Sequence, residues 1–224
     1  MILNTANKPS LEYLYREPKV TVEQPPLLIL LHGVGSNEKD LFSLAPHLPD
    51  SFLIVSARGP ITLGANSYAW YQVDFSTGKP VYDPAQEKAS RAKILSFIDE
   101  LKPHHKFDSS RVYFAGFSQG AIMSYSLGLT HPEKIKAIGV MSGRLLEEVK
   151  PEIAKEKAKS LKVFISHGTR DGVLPIHYAN QAQTYLKELG ITPVFKQYNE
   201  GHGINAAMLQ DLVAWLKEVN AGVK

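Results

Sequence analysis

Cysteine is absent from the 224-residue sequence, so disulfides, thiolate metal ligands and a cysteine nucleophile are all excluded. Charge of one sign is not in large excess either. The 25 Lys and Arg residues stand against 22 Asp and Glu, a formal +3 without a long single-sign block, which gives little footing for a nucleic-acid partner. No stretch approaches the roughly 20 apolar residues of a membrane-spanning helix. Met1 to Ser10 also lacks the basic and apolar regions of a secretory signal, and the expectation is a cytoplasmic protein with no stable membrane insertion. Neither G-x-G-x-x-G nor a phosphate loop occurs, and no H-E-x-x-H. His104 and His105 are adjacent rather than a turn apart and read as a solvated helix end, so no metal and no cofactor is expected.

What is present is ordinary globular composition, with 44% hydrophobic and 21% charged residues. That length suits one well-buried core, and a single domain over residues 1–224 is expected. Short runs rich in Val, Ile, Leu and Phe alternate with helix-length amphipathic segments, the pattern of a mostly parallel sheet with helices on both faces. The buried strands are expected at Leu27 to Leu31, Phe52 to Val55, Val112 to Phe117, Ile135 to Met141, Val163 to Ser166 and Pro193 to Tyr198. Leu11 to Tyr15 reads as an edge strand. Helices are expected from Ala85 to Leu101, Gln119 to Thr130, Ile176 to Leu189 and Asn205 to Val219, with Gly190 as a C-terminal cap. Two connections are long: Ala57 to Asp83, which carries Trp70 and Tyr71, and Ser142 to Lys162, whose charged stretch Lys150 to Lys159 reads as a solvated surface helix. Neither is long enough to form a large cap domain.

Chemistry concentrates at Gly116-Phe117-Ser118-Gln119-Gly120, where a very apolar strand runs directly into a helix. This is the form of a nucleophile elbow: a strained serine at a tight strand-to-helix turn, with glycines two positions away on either side to avoid collision. The turn also puts the backbone N–H of Gln119 at a helix N-terminus, where it can stabilise an oxyanion. Leu31-His32-Gly33-Val34-Gly35 follows another apolar strand and makes the N–H of Val34 the second oxyanion candidate.

A serine nucleophile needs a base, and the base an orienting acid, in the chain order Ser, acid, His on this kind of scaffold. Asp171, just beyond the strand Val163 to Ser166, fits the acid, with Glu147 and Glu148 as fallbacks. His202, on the glycine-flanked loop Gly201-His202-Gly203, fits the base. His177 falls near a helix start and reads as a capping or packing residue, whereas His131 and His167 precede Asp171 and break the order.

With the elbow, the L-H-G-x-G segment, the H-G-x-x-D-G-V-L-P stretch and the G-H loop in this order, the chain resembles the phospholipase/carboxylesterase family of α/β-hydrolases. The similarity runs from about Leu28 to Leu216. The resemblance implies catalytic Ser118, Asp171 and His202, with oxyanion donors on Val34 and Gln119. It also places Trp70-Tyr71 beside the acyl pocket, whose apolar lining is expected to include Leu174, Ile61 and Leu63. Ala121 follows the elbow where close relatives often have another glycine. The expected activity is hydrolysis of a small-molecule carboxylic ester, lysophospholipid or acyl thioester through an acyl-enzyme. An amidase or peptidase with the same triad, and a non-catalytic receptor on the same fold, are the rival readings. A homodimer is left open.

Overall fold

The computed structural model describes residues 8–74, 76 and 80–222, so residues 1–7 of the leading segment lie outside the described residues. The chain begins with β1 (Tyr13–Arg16), β2 (Pro26–Leu31), a short α1 (Glu38–Phe42) and β3 (Leu53–Ala57). Two small hairpins follow, β4 (Ile61–Gly64) with β5 (Ser67–Ala69) and β6 (Val73–Asp74) with β7 (Val81–Tyr82). Then come α2 (Pro84–Leu101), β8 (Asp108–Phe117), α3 (Gln119–Thr130) and β9 (Ala137–Met141). The last part holds α4 (Lys155–Ala158), β10 (Lys162–Gly168), α5 (His177–Glu188), β11 (Val194–Tyr198) and α6 (Ala206–Ala221).

Seven strands form one sheet in the spatial order β1-β3-β2-β8-β9-β10-β11. Only β1 runs antiparallel, pairing with β3 at the edge. Every other pairing is parallel, and all six residues of β2 are buried, as expected of a strand covered on both faces. Because side chains alternate along a strand, Leu27, Ile29 and Leu31 enter a core with Ile94 and Phe97 of α2 and Tyr125 of α3. Leu28 and Leu30 point the other way, into a second core with Leu41 of α1 and Leu212 and Leu216 of α6. Residues Gln119 to Leu129 are all buried, so α3 is covered nearly all round rather than along one stripe.

The ends of these elements follow local chemistry. Asp83 accepts the Ala85 N–H at the start of α2, with Pro84 in the first turn, and Asn205 accepts the Met208 N–H at the start of α6. Gly190, at φ +81°, takes the left-handed conformation just past α5.

Two expectations are corrected. Lys150 to Lys159 is not a surface helix: Pro151 interrupts it, a 3₁₀ segment covers Glu147–Glu152, and only Lys155–Ala158 is α-helical. Ile153 and Ala158 from this stretch, with Val149 just before it, are buried in the core around α3. His105 is not at a solvated helix end. It is buried against β1, where its Nε2 is 3.0 Å from the Tyr13 hydroxyl and its ring packs edge-on to Tyr15 at 4.4 Å.

Candidate active site

The parallel strands β8 and β10 deliver their carboxyl ends to one edge of the sheet, and the chemistry gathers there. At the end of β8 the backbone of Ser118 stands at φ +53°, ψ −115°, a conformation a side-chain-bearing residue holds only when its surroundings force it. The glycines explain how the turn fits. A Cβ on Gly116 would meet the Gly120 carbonyl oxygen at 2.2 Å, and one on Gly120 would meet the Leu31 carbonyl oxygen at 1.9 Å. Strand β8, helix α3 and the end of β2 are therefore pressed together at backbone contact, and the serine is lifted off them.

Asp171 follows β10 and is buried, with its side chain fully covered. One carboxylate oxygen, Oδ1, accepts the N–H groups of Val173 at 2.9 Å and Leu174 at 2.8 Å. The other, Oδ2, is 2.7 Å from His202 Nδ1, and His202 Nε2 is 2.9 Å from Ser118 Oγ. The arrangement fits the tautomer in which Nδ1–H donates to Asp171 and Nε2 accepts from the serine. Phe117 packs on the His202 ring at 4.9 Å. Beneath the acid lies His167, wholly buried, which donates from Nε2 to the Leu174 carbonyl at 2.6 Å and sits 3.4 Å from Asp171 Oδ2. Burial holds its pKa below the usual imidazole range, so it is neutral where a second cation would compete for the carboxylate.

The alternative acids are placed elsewhere. Glu147 pairs with Lys150, and Glu148 accepts the Tyr82 hydroxyl at 2.6 Å. His177 opens α5, its ring against Tyr178 at 4.2 Å.

Opposite the elbow, the loop after β2 carries His32, Gly33 and Val34. His32 is buried, with Nδ1–H donating to the Gly33 carbonyl at 2.7 Å and Nε2 accepting the Gly59 N–H at 2.9 Å. Among the described residues, neither the Val34 nor the Gln119 backbone N–H donates to a protein carbonyl outside helix or strand pairing. That leaves both free for a ligand oxygen, Gln119 at the first position of α3.

The side chain of Gln119 has a separate task. Its Oε1 accepts the Trp70 N–H at 2.9 Å and its Nε2 donates to the Tyr71 carbonyl at 2.7 Å, clamping the aromatic pair to the elbow. Trp70 is wholly buried, donates Nε1–H to the His32 carbonyl at 2.9 Å and takes a bond from Ser90 on α2 to its own carbonyl. It anchors the segment from behind and is not among the residues that line the cavity beside Ser118.

That cavity has a volume of about 70 Å³. Its walls are Val34, Tyr71, Val73, Tyr82, Ile122 and Leu174, and Ser118 and Gln119 form its base. So Tyr71 and Leu174 reach it and Trp70, Ile61 and Leu63 do not; Leu63 is exposed on β4. Six lining residues escaped sequence reasoning: Val73, Pro80, Tyr82, Ile122, Val173 and Arg144. Arg144 lies just past the carboxyl end of β9, and the rule that ligands gather at strand carboxyl ends would have drawn attention to it. Among the described residues there is no cluster of three or more His, Asp or Glu placed to hold a metal ion, and no helix long and apolar enough to cross a membrane.

A mostly parallel sheet with a strained serine between strand and helix is an α/β-hydrolase fold, without a large cap. The chain belongs to the phospholipase/carboxylesterase family, whose sequence model matches residues 18–220. It is accordingly an enzyme, a serine hydrolase acting on ester or thioester bonds. Acyl-protein thioesterase 1 of Aspergillus fumigatus is 31% identical over 219 residues, covering 86% of this chain and 87% of that one. Acyl-protein thioesterase 1 of Kluyveromyces lactis is 28% identical, with 86% and 91% covered. Among solved structures, esterase PE8 superposes with a TM-score of 0.75 at 28% identity, covering 93% of this chain and 99% of that one. The Bacillus cereus carboxylesterase reaches a TM-score of 0.78 at 21% identity over 94% and 95%, which speaks for the fold alone.

Proposed function

We propose that Ser118, His202 and Asp171 act as the nucleophile, general base and orienting acid of a carboxylesterase that accepts short-chain esters or thioesters. The observation that carries this is the unbroken contact from Ser118 Oγ to His202 Nε2 at 2.9 Å and from His202 Nδ1 to Asp171 Oδ2 at 2.7 Å. His202 takes the hydroxyl proton as Oγ bonds to the carbonyl carbon, and the carbonyl oxygen becomes an oxyanion facing the Val34 and Gln119 amides. Asp171 remains ionised and stabilises the imidazolium. The tetrahedral intermediate collapses, His202 returns the proton to the leaving alcohol or thiol, and an acyl-serine remains. Water then attacks with the same proton transfers, releasing the acid and restoring Ser118.

The small cavity supports a short acyl group, being far below the roughly 300–1,000 Å³ of sites that enclose a drug-sized ligand. The names of the relatives, thioesterases and esterases, are compatible with either leaving group. A non-catalytic receptor would have no need of this alignment of three side chains.

Hydrolysis of p-nitrophenyl esters of graded chain length tests the reading. Ser118→Ala and His202→Ala should each lower kcat by about 10⁴-fold or more, and Asp171→Asn, which favours the wrong imidazole tautomer, by about 10⁴-fold. The optimum should fall at short acyl chains. Turnover that survives Ser118→Ala would reject the triad.

A further inference from the structure

The cavity beside Ser118 is walled by apolar and aromatic groups with one exception, the guanidinium-bearing Arg144. The sequence holds six arginines, and the other five have protein acceptors. Arg58 pairs with Glu38, Arg91 with Glu152 and Glu87, and Arg111 with Asp108, while Arg16 and Arg170 donate to backbone carbonyls. Arg144 alone has no ion pair or hydrogen bond from its guanidinium among the described residues. None of the remaining residues is an aspartate or glutamate. Its guanidinium carbon lies 5.6 Å from the Tyr178 ring, near the outer limit of a cation–π interaction. Glu147, the carboxylate nearest in the chain, pairs with Lys150, and Glu148 is held by the Tyr82 hydroxyl at 2.6 Å, with the charge of Arg144 acting on it from beyond ion-pair distance.

The backbone holds this cation in place. Ser142 stands at φ +52° with its N–H bonded to the Ser166 carbonyl at 2.9 Å. A Cβ on Gly143 would meet the Ala121 Cβ at 2.6 Å, so the chain presses against α3 immediately before Arg144. Burial raises the pKa of both cavity tyrosines, Tyr71 and Tyr82, and the positive charge of Arg144 acts against it in each, which marks it as close to both rings.

Position relative to the reacting atoms decides which part of a substrate Arg144 meets. The leaving group must depart toward His202, which protonates it. The cavity is lined by Ser118, Gln119 and Val34 but not by His202, so it lies on the acyl side. Resting on the reading above, we infer that this enzyme is selective for short acyl groups that end in a carboxylate, with Arg144 as the specificity-determining residue that receives that carboxylate. A planar guanidinium whose donors are unclaimed matches a carboxylate in a two-bond fork, and apolar walls around it strengthen the attraction. The reaction is unchanged: water and the half-ester of a dicarboxylic acid give the dicarboxylate, an alcohol and a proton.

The test compares monoethyl succinate with its neutral isostere, ethyl succinamate, by titration at constant pH. The wild type should favour the carboxylate substrate in kcat/KM by about tenfold to a hundredfold, the size of a hydrogen bond to a charged group. Arg144→Gln should collapse that ratio towards unity, chiefly through KM, and Arg144→Lys should retain part of it. In parallel, calorimetry with succinate should detect binding to Ser118→Ala and its loss in the Ser118→Ala, Arg144→Gln double variant. Ser118-dependent turnover with a ratio near unity in the wild type would overturn the inference and leave the triad standing. Absence of Ser118-dependent turnover would overturn the triad, and the succinate binding then decides the Arg144 site by itself. Succinate binding that is indifferent to Arg144 sinks it.

Discussion

The turn at Ser118 and the segment from residue 57 to 83 meet at Gln119, yet they are held by different means. At the turn, backbone touches backbone: Gly116 and Gly120 leave no room for a side chain, and the strain at Ser118 is held by the strand and helix on either side. Among its described residues the other segment has two short hairpins of its own, and it is tied down by the backbone bonds of Tyr68 to Gly35 and Ser36 and by side-chain hydrogen bonds to three other parts of the chain. Trp70 bonds to the loop after β2, Ser90 reaches from α2, and Gln119 takes both backbone groups from α3. One half of the site is fixed by steric exclusion, between Gly116 and Gly120 and between Gly120 and Leu31 at the end of β2, the other by hydrogen bonds between residues about 20 to 50 positions apart. The first should tolerate almost no substitution, whereas the second should loosen in steps.

The largest expected effect is therefore at the turn. Gly120→Ala should destabilise the fold by about 3 kcal/mol or more, since its methyl group must displace the Leu31 carbonyl, and should abolish turnover with it. Urea unfolding and the ester assay report both. Near-normal stability would show that the contact between β2 and α3 yields more easily than backbone packing allows.

A smaller effect is expected where the two regions join. Gln119→Leu keeps the size of the side chain but leaves the Trp70 N–H and Tyr71 carbonyl without their partner, at a cost of about 1–3 kcal/mol for each unsatisfied group. Because the backbone N–H of residue 119 is retained, KM should rise more than kcat falls. An equal loss in both would mean that the clamp also sets the oxyanion geometry.

The smallest effect is a shared one. His32 beneath the aromatic segment, His167 beneath Asp171 and His131 after α3 all have pKa values lowered by burial. As pH falls below the ordinary histidine value of 6.5, the unfolded chain takes up protons that the folded protein refuses. Their contribution to stability is then complete above about pH 6.5 and is lost progressively below it. Urea midpoints should be lower at pH 5.5 than at pH 7.5. Midpoints that stay level would place these imidazoles in contact with water.

The sheet was legible because its strands are short apolar runs with turn residues between them, and each expected strand has an observed counterpart within a few residues. Pro26–Leu31 and Lys162–Gly168 even extend the runs expected there. The helix boundaries fell close to the expected ones, since an end signal such as Gly190 acts within a turn of where it stands. What failed was local reading of residues whose partners are distant. Lys150 to Lys159 looked uniformly solvated because the alternation of charge hides Ile153 and Ala158, which find their core only when α3 is in place. His105 looked exposed because its partners, Tyr13 and Tyr15, lie some 90 residues away.

The candidate site divides in the same way. Ser118, Asp171 and His202 could be named from the sequence because the elbow's glycines, the chain order and the strand ends each leave a local mark, and the fold brings the three within hydrogen-bonding distance. The wall of the cavity left no such mark. Trp70 and Tyr71 are neighbours in sequence with similar chemistry, yet one ring is a buried anchor and the other a cavity wall, since successive residues face opposite ways and only the packing partner decides which side is wet. Arg144 was one arginine among six until the fold placed the acceptors of the other five beside them and left it lining the cavity with none among the described residues. Sequence alone determined the strands, the turn and the order of the reactive residues, because backbone sterics and hydrophobic periodicity act over a few positions. Only the tertiary structure decided what the pocket is made of, because a cavity is the space between segments that the chain keeps apart.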